Sequence, residues 1–338
     1  MFKTKQFWIG LAAIVISLYF AFQGIKFDEL AQALTHINLF FAIPALVVFW
    51  LSFGSRVWRW QLLHTPYHVR WSKVLAMLSI GYFLSNITPL RAGDVVRPAL
   101  LARSEGVPVA RSLSSVMVER LMDMVTVVLF LIILLPIIPQ IPDDARKWGA
   151  VLGGAGVVAL IAFALISLNR ERAVKLLKRL TAPVKFLQRD SIWHIIESLI
   201  DGFGVLHSWR PLVGVIVWSL IVWFFAALLN WVVMLAMGIP LGFDAAALVL
   251  VATSLGVTVV PTPGQVGVFD YVAQQALVQV YKIDPAKALA FALVIHAYVY
   301  LWLMVLGVFF MWREGLSYGQ LQKVRMGADT PSPAPTDA

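Results

Sequence analysis

Long apolar runs, separated by short polar or basic stretches, dominate the pattern of the chain. A helix needs about 20 apolar residues to cross the hydrocarbon core of a bilayer. Six runs approach or exceed that length and are predicted to be full spans: 7–24, 38–55, 124–140, 149–168, 211–237 and 287–312. The predicted fold class is therefore an all-α polytopic membrane protein.

Two further apolar runs, 72–87 and 245–260, are shorter and continue into turn-forming sequence. The first meets Asn86-Ile-Thr-Pro-Leu-Arg-Ala-Gly-Asp94, and the second meets Val260-Pro-Thr-Pro-Gly-Gln-Val-Gly267. Proline removes a backbone donor and glycine permits unusual dihedral angles, so a helix break is predicted in both. We predict that each segment is a re-entrant helical hairpin, which enters and leaves the membrane on the same side. Two ordinary spans are the alternative.

The composition excludes most other classes of protein. Hydrophobic residues make up 60% of the 338 residues and charged residues only 13%, against about 25% charged in a soluble domain. Sustained heptads and a Gly-X-Y period are absent, which excludes a coiled coil and collagen. The absence of cysteine excludes disulfides, thiolate metal sites and cysteine nucleophiles. Asp143-Asp144 is interpreted as a solvated turn, and no metal or cofactor is predicted.

Charge along the chain predicts its orientation. The net charge is +9, and basic residues concentrate in 56–73, which holds Arg56 and Arg59, and in 169–210. Basic loops stay in the cytoplasm, so both stretches are predicted to be cytoplasmic loops. Both termini are then cytoplasmic, and the protein lies in the cytoplasmic (inner) membrane. The apolar N-terminal run lacks a cleavage site and is predicted to be retained as the first span.

An internal repeat divides the single transmembrane domain predicted over 1–326. The two break sequences align without gaps at an offset of about 174, and the same offset relates the starts of two predicted spans. Repeat 1 covers about 7–140 and repeat 2 about 149–312, in inverted orientation. Paired broken segments in inverted repeats indicate a secondary transporter with its site between the breaks. The break residues are Asn86, Thr88, Pro89, Gly93, Pro261, Thr262, Pro263, Gly264 and Gly267.

Two simple packing kinks are the alternative interpretation of the breaks. Outside this domain, 170–190 is basic and amphipathic and is predicted to lie on the anionic inner leaflet. The proline-rich tail 327–338 is predicted to be disordered.

Charged residues within the apolar segments are the candidates for function. Each costs about 2.5–3.5 kcal/mol in mid-membrane and is retained for a reason. Arginine suits bidentate binding of phosphate or carboxylate, so the predicted ligand is an anionic group, in the first place a phosphate. An internal charge network that only joins helices is the alternative, and for His296 it is a helix–helix hydrogen bond. The predicted substrate-binding residues are Arg91, Asp94, Arg97, Glu119, Arg120, Asp123, Asp270 and His296.

The three charged motifs resemble the flippase-like transmembrane domain of the lysylphosphatidylglycerol synthase (multiple peptide resistance factor) family. The matching pieces are Asn86-x-Thr-Pro-x-Arg-x-Gly-Asp94-x-x-Arg97, Glu119-Arg120-x-x-Asp123 and Pro261-x-Pro-Gly-x-x-Gly267-x-x-Asp270. The resemblance covers roughly 7–315 and implies a lipid-translocating domain with two re-entrant segments. Some stand-alone members of the family are associated with hopanoid biosynthesis.

The chain also departs from that family. The family usually has Glu at the positions of Asp94 and Asp270, often Gly at Gln265 and often Arg at His296. Shorter carboxylates change the reach of the site, which leaves room for a different headgroup. The aminoacyl-transferase domain is absent from this chain, so lysine transfer by this polypeptide is not expected.

The leading hypothesis is a flippase or scramblase that moves an anionic lipid headgroup and is not an enzyme. Arg91 and Arg97 would bind the phosphate, while Asp94 and Asp270 would gate them or exchange protons with His296. A membrane-embedded lipid-modifying transferase with an acidic base is the first alternative, although the sequence lacks nucleotide, metalloprotease and hydrolase motifs. A regulatory partner of a lipid-synthesis enzyme is the second. A membrane lipid is the predicted partner and nucleic acid is not; a homodimer and a lipid-synthesis enzyme stay open.

Overall fold

The computed structural model describes residues 5–88, 92–168, 179, 209–317 and 319, with side chains given from residue 11 onward and omitted for 159–168. The regular secondary structure of this part of the chain is entirely helical and includes eleven α-helices. They are α1 (Lys5–Phe22), α2 (Phe27–Thr35), α3 (Ala42–Leu62), α4 (Trp71–Ile87), α5 (Gly93–Glu105), α6 (Val109–Ile137), α7 (Asp143–Leu168), α8 (Trp209–Ala236), α9 (Phe243–Val259), α10 (Val268–Tyr281) and α11 (Pro285–Arg313). Apart from residue 179, the predicted stretch 170–190 and the tail 327–338 lie outside the described residues.

Within the described part of the chain, four helices are long and apolar enough to cross a membrane: α3 with its preceding 3-10 turn, α6, α8 and α11. A fifth span results if α1 and α2, which are bent by 88° at their junction, are counted together. The predicted span 149–168 is helical as part of α7. The all-helical membrane class is therefore confirmed, while the count of six spans stays a prediction.

The predicted loop boundary at residue 56 is wrong. Helix α3 continues to Leu62, so Arg56 and Arg59 lie on a helix rather than in a loop. Arg59 is completely buried. The helix can continue past the apolar run because carboxylates on α6 neutralise this arginine inside the protein, as described below.

Each predicted hairpin is two helices folded back along each other. In the first, α5 packs on α4 so closely that a Cβ on Gly93 would lie 1.8 Å from the carbonyl oxygen of Gly81. In the second, α10 packs on α9, where Gly256 faces Val272. Helix α4 has 17 residues and α5 has 13, so neither exceeds about 25 Å. Each is shorter than the hydrocarbon core of about 30 Å.

The hairpin of each half of the chain packs against the last helix of the other half. Helix α4 packs on α11, the last helix of the second half, and α9 packs on α6, the last helix of the first. Helices α3 and α8 pack on each other. A shift of about 174 residues brings α4, α5 and α6 to within two residues of the bounds of α9, α10 and α11. Both breaks therefore lie at corresponding places between the halves.

A buried histidine joins the end of α3 to the start of α6. Nδ1 of His64 lies 2.8 Å from the carbonyl oxygen of Trp60, and Nε2 lies 3.1 Å from Oγ of Ser112. The backbone oxygen only accepts, so His64 donates from Nδ1 and accepts at Nε2 as a neutral ring. Burial, together with the positive charges of Arg111 and Arg97, lowers the pKa of His64 from 6.5 to about 4.

We predict that acidification destabilises the protein through His64. Because the folded-state pKa lies below 6.5, the unfolded chain binds the proton first, and stability is lost as the pH falls from about 6.5 towards 4. Thermal unfolding in detergent at pH 7 and pH 5 measures this loss. His64→Gln should flatten the dependence, whereas His68→Gln, at an exposed position, should retain the wild-type slope. Equal slopes in both variants would contradict the assignment.

Candidate functional site

A helix restarts at Gly93, at the end of the predicted first break. Asp94 lies in the first turn of α5, where the helix dipole favours a carboxylate. Arg97 follows one turn later, and its Nη2 lies 3.6 Å from Oδ1 of Asp94. The break residues Asn86, Thr88 and Gly93 are described. Pro89 and Arg91 lie outside the described residues, so the predicted phosphate-binding role of Arg91 stays a prediction.

Three arginines and three carboxylates form a closed ring of alternating charge, which we call the charge ring. Each member lies within ion-pair distance of the next, and α3, α5 and α6 supply the six side chains. Three positive and three negative charges cancel, so the ring is neutral when all six are ionised. Its order is Arg59, Glu119, Arg97, Asp94, Arg120, Asp123 and back to Arg59.

The inner half of the charge ring is sealed from solvent. Glu119 lies 2.9 Å from Nη2 of Arg97 and 3.4 Å from Nη2 of Arg59, and all three side chains are at most 1% exposed. The guanidinium of Arg97 also stacks over Trp60, at 4.8 Å from the ring centroid. Gly81 makes this path possible, since a Cβ there would lie 2.7 Å from Cδ of Arg97. Arg97 and Glu119, which were predicted to bind substrate, thus already form an ion pair with each other.

The outer half of the charge ring is open. The exposed side-chain fraction rises from 15% at Asp123 to 22% at Asp94 and 37% at Arg120. Arg120 donates two hydrogen bonds to Asp94, from Nη2 to Oδ1 at 2.6 Å and from Nε to Oδ2 at 3.1 Å. This is the bidentate geometry by which arginine also binds phosphate. Arg120 is therefore the member of the ring best placed to meet a ligand.

Helix α8 and Arg56 complete the surroundings of Asp123. Asp123 accepts hydrogen bonds from Arg59 Nη1 at 2.7 Å and from Trp223 Nε1 at 3.1 Å. Arg56 donates to the hydroxyl of Tyr82 at 3.4 Å. Within the described residues no carboxylate lies within ion-pair distance of Arg56. Arg56 thus adds one positive charge beside an otherwise neutral ring.

The second break is held by a histidine. Nδ1 of His296 lies 2.9 Å from Oδ1 of Asp270, and its Nε2 lies 2.9 Å from the carbonyl oxygen of Gly264. The N–H of Gly267 donates to the other carboxylate oxygen of Asp270 at 2.9 Å. Gly264 and Gly267 have φ of +62° and +81°, in the left-handed region that favours glycine. Gln265 shares that region, with φ of +64°.

The two breaks touch each other. The hydroxyl of Tyr300 donates to the carbonyl oxygen of Asn86 at 3.3 Å, and a Cβ on Gly264 would lie 3.2 Å from that same oxygen. The ring of Tyr300 lies 6.1 Å from that of His296. The break predicted from Pro261, Thr262 and Pro263 therefore meets the first break inside the protein.

The predicted site residues fall into two clusters rather than one. Asp94, Arg97, Glu119, Arg120 and Asp123 belong to the charge ring, while Asp270 and His296 lie at the second break. Sequence reasoning missed Arg59, Arg56 and Trp223 as site residues. Arg59 had a usable signal, because it stands directly between Trp58 and Trp60, at the end of an apolar run that can continue as a helix.

Comparison with known proteins gives one family and two relatives. A family model described as the lysylphosphatidylglycerol synthase TM region matches residues 7–307. Glycosyltransferase AglD of Haloferax volcanii is 25% identical over 323 residues, which cover 85% of this chain and 51% of that protein. The UPF0104 membrane protein PH1989 of Pyrococcus horikoshii is 23% identical over 302 residues, covering 83% and 88%. The chain thus spans about half the length of AglD.

Proposed function

Because this integral membrane protein belongs to the lysylphosphatidylglycerol synthase TM-region family, matched over residues 7–307, we propose that it moves an anionic lipid headgroup across the cytoplasmic membrane. The open Arg120–Asp94 edge of the charge ring carries this proposal. The headgroup would pass between the two broken segments while the acyl chains stay in the bilayer. The hairpins are then re-entrant, the repeats inverted and both termini cytoplasmic.

The proposed binding step replaces a carboxylate by a phosphate on Arg120. Two oxygens of a headgroup phosphate can accept from the two donors of Arg120, as the two oxygens of Asp94 do, so the phosphate competes with Asp94. Asp94 stays neutralised when displaced, because Arg97 is already 3.6 Å away. Arg56 adds attraction for the anion, as Arg91 would from its place in the sequence. The buried residues Arg59, Arg97 and Glu119 hold the inner half of the charge ring in place.

A lipid-modifying transferase is the second candidate, since one relative is named a glycosyltransferase. A general base must be able to reach the proton that it removes. Glu119 is buried between two arginines, Asp123 is bonded to Arg59, and Asp94 is gripped by Arg120. Asp270 is bonded on both oxygens. Each acid is thus held as a partner for another group, which supports transport over catalysis.

Native mass spectrometry of purified protein tests the headgroup site. We expect the wild type to retain a discrete anionic lipid and Arg120→Gln to lose most of it. Arg146→Gln is the matched control, because Arg146 on α7 donates to the backbone carbonyls of Leu135 and Ile138, outside the charge ring. Equal lipid retention by both variants would refute Arg120 as the ligand and favour a charge network that only joins helices.

A further inference from the structure

Among the described residues, each half of the chain contains an acid–base pair at the corresponding position. Arg120 on α6 binds Asp94 on α5, and His296 on α11 binds Asp270 on α10. In both pairs the base follows the acid by 26 residues. In both, the acid lies in the first turn of the helix that restarts after the break. The two pairs are therefore equivalent by position, with a permanent cation in the first and a titratable base in the second.

The second pair carries one more proton than a neutral histidine and an ionised aspartate carry together. Gly264 offers only a carbonyl oxygen to Nε2, so that nitrogen must carry hydrogen to bond it. The contact between Nδ1 and Oδ1 needs a second hydrogen, which belongs either to an imidazolium or to a protonated Asp270. Either way, the observed geometry binds one extra proton.

Few other charges act on this pair. Within the described residues, α10 contributes Asp270 as its only charged side chain, and α8 carries only Arg210, at its far end. From α4, Lys73 pairs with Glu314, at the opposite end of α11 from its first turn. From α2, Glu29 pairs with Lys26. Asp244 on α9 accepts from Tyr281, the last residue of α10, at 3.5 Å. Tyr300 and Phe269 flank the imidazole without charge.

We infer that His296 is the site of a coupling proton and that protonation closes the second break. This inference rests on the proposed lipid movement and deepens it. With the proton bound, His296 ties Gly264 and Asp270 to α11. Without it, one ring nitrogen presents a lone pair to an oxygen that only accepts, so either the bond to Gly264 or the bond to Asp270 is lost. His296 is 16% exposed and Asp270 only 2%, so the proton enters through the imidazole.

The first test follows the proton directly. Protein labelled with ¹⁵N-histidine is studied by NMR in nanodiscs, and His296→Gln assigns the resonance. We expect both ring nitrogens of His296 to carry hydrogen at pH 7.5. In Asp270→Asn, the proton affinity of the His296 ring should fall by about tenfold or more, which moves its titration by one pH unit or more. A neutral ring at pH 6 in the wild type would overturn the inference, whether or not lipid moves.

The second test asks whether the proton drives lipid. Vesicles of phosphatidylcholine with fluorescent NBD-phosphatidylglycerol receive a gradient of one pH unit, with the membrane potential clamped by potassium and valinomycin. One coupled proton should enrich the probe about tenfold in one leaflet. His296→Arg should lose this enrichment, whereas His68→Arg, at an exposed position, should keep it. Movement without enrichment in the wild type would overturn proton coupling alone. No movement would refute the proposed function, and the NMR result still decides the proton site.

Discussion

Gly93→Leu is expected to prevent the first hairpin from closing. Even a Cβ at this position would lie 1.8 Å from the carbonyl oxygen and 2.6 Å from the carbonyl carbon of Gly81. Overpacking a core costs about 1–3 kcal/mol when side chains can move aside. Here the obstacle is backbone, so the cost should exceed that range. We expect loss of monodisperse protein in fluorescence-detected size-exclusion chromatography.

Gly54→Ala is the matched control for this substitution. Gly54 lies within α3, and a Cβ there would meet nothing within 4 Å. Alanine should leave the yield unchanged or raise the thermal midpoint, since it favours a helix interior over glycine by about 0.5–1 kcal/mol. A well-folded Gly93→Leu protein with a wild-type midpoint would show that α5 does not pack on α4 as described.

Glu119→Gln is expected to destabilise the protein by about 3–5 kcal/mol, the usual cost of breaking a buried ion pair from one side. The substitution keeps the size of the side chain and removes its charge. It leaves Arg59 and Arg97, both fully buried, without their shared carboxylate. Arg59 keeps Asp123 at 2.7 Å, whereas Arg97 keeps only Asp94 at 3.6 Å. Part of the donor capacity of both arginines already lacks a hydrogen-bond partner within the described residues. Equilibrium unfolding in mixed micelles measures the loss.

The same chemical change on the surface should have almost no effect. Glu29 is 47% exposed and pairs with Lys26, which is 77% exposed, so solvent screens the pair. Glu29→Gln should therefore unfold like the wild type. If Glu119→Gln also unfolded like the wild type, the charge ring would not be a stabilising unit, and its residues would be free to rearrange around a ligand.

Apolar run length and turn chemistry were enough to predict α4, α9 and the helix breaks that follow them. The runs 72–87 and 245–260 differ from α4 and α9 by at most two residues at either end. Helix α5 begins at Gly93, within the predicted first break. These features are local in sequence, so one chain suffices to read them. The helix ends that lie in charged sequence were harder to predict, because Arg59 resembles a solvent-exposed loop residue when its buried carboxylate partners are unknown.

Pairing across the fold could not be predicted in the same way. Glu119 and Asp123 lie four residues apart, a spacing that places them on one face of a helix, and both contact Arg59. Which cation each acid meets depends on how α3, α5 and α6 pack, and hydropathy does not encode that packing. Gly81 is an example: it is an ordinary glycine in an apolar run, but its missing side chain lets Arg97 cross α4 to Glu119.

The movement of NBD-phosphatidylglycerol across reconstituted vesicles tests the central claim most directly. Dithionite bleaches only the outer-leaflet probe, so the fast bleaching phase reports how much lipid exchanges between leaflets. We predict bleaching beyond the outer-leaflet fraction for the wild type and Arg146→Gln, and a return to the protein-free level for Arg120→Gln. Equal bleaching by Arg120→Gln and the wild type, or none above protein-free vesicles for any protein, would contradict transport through the open edge of the charge ring.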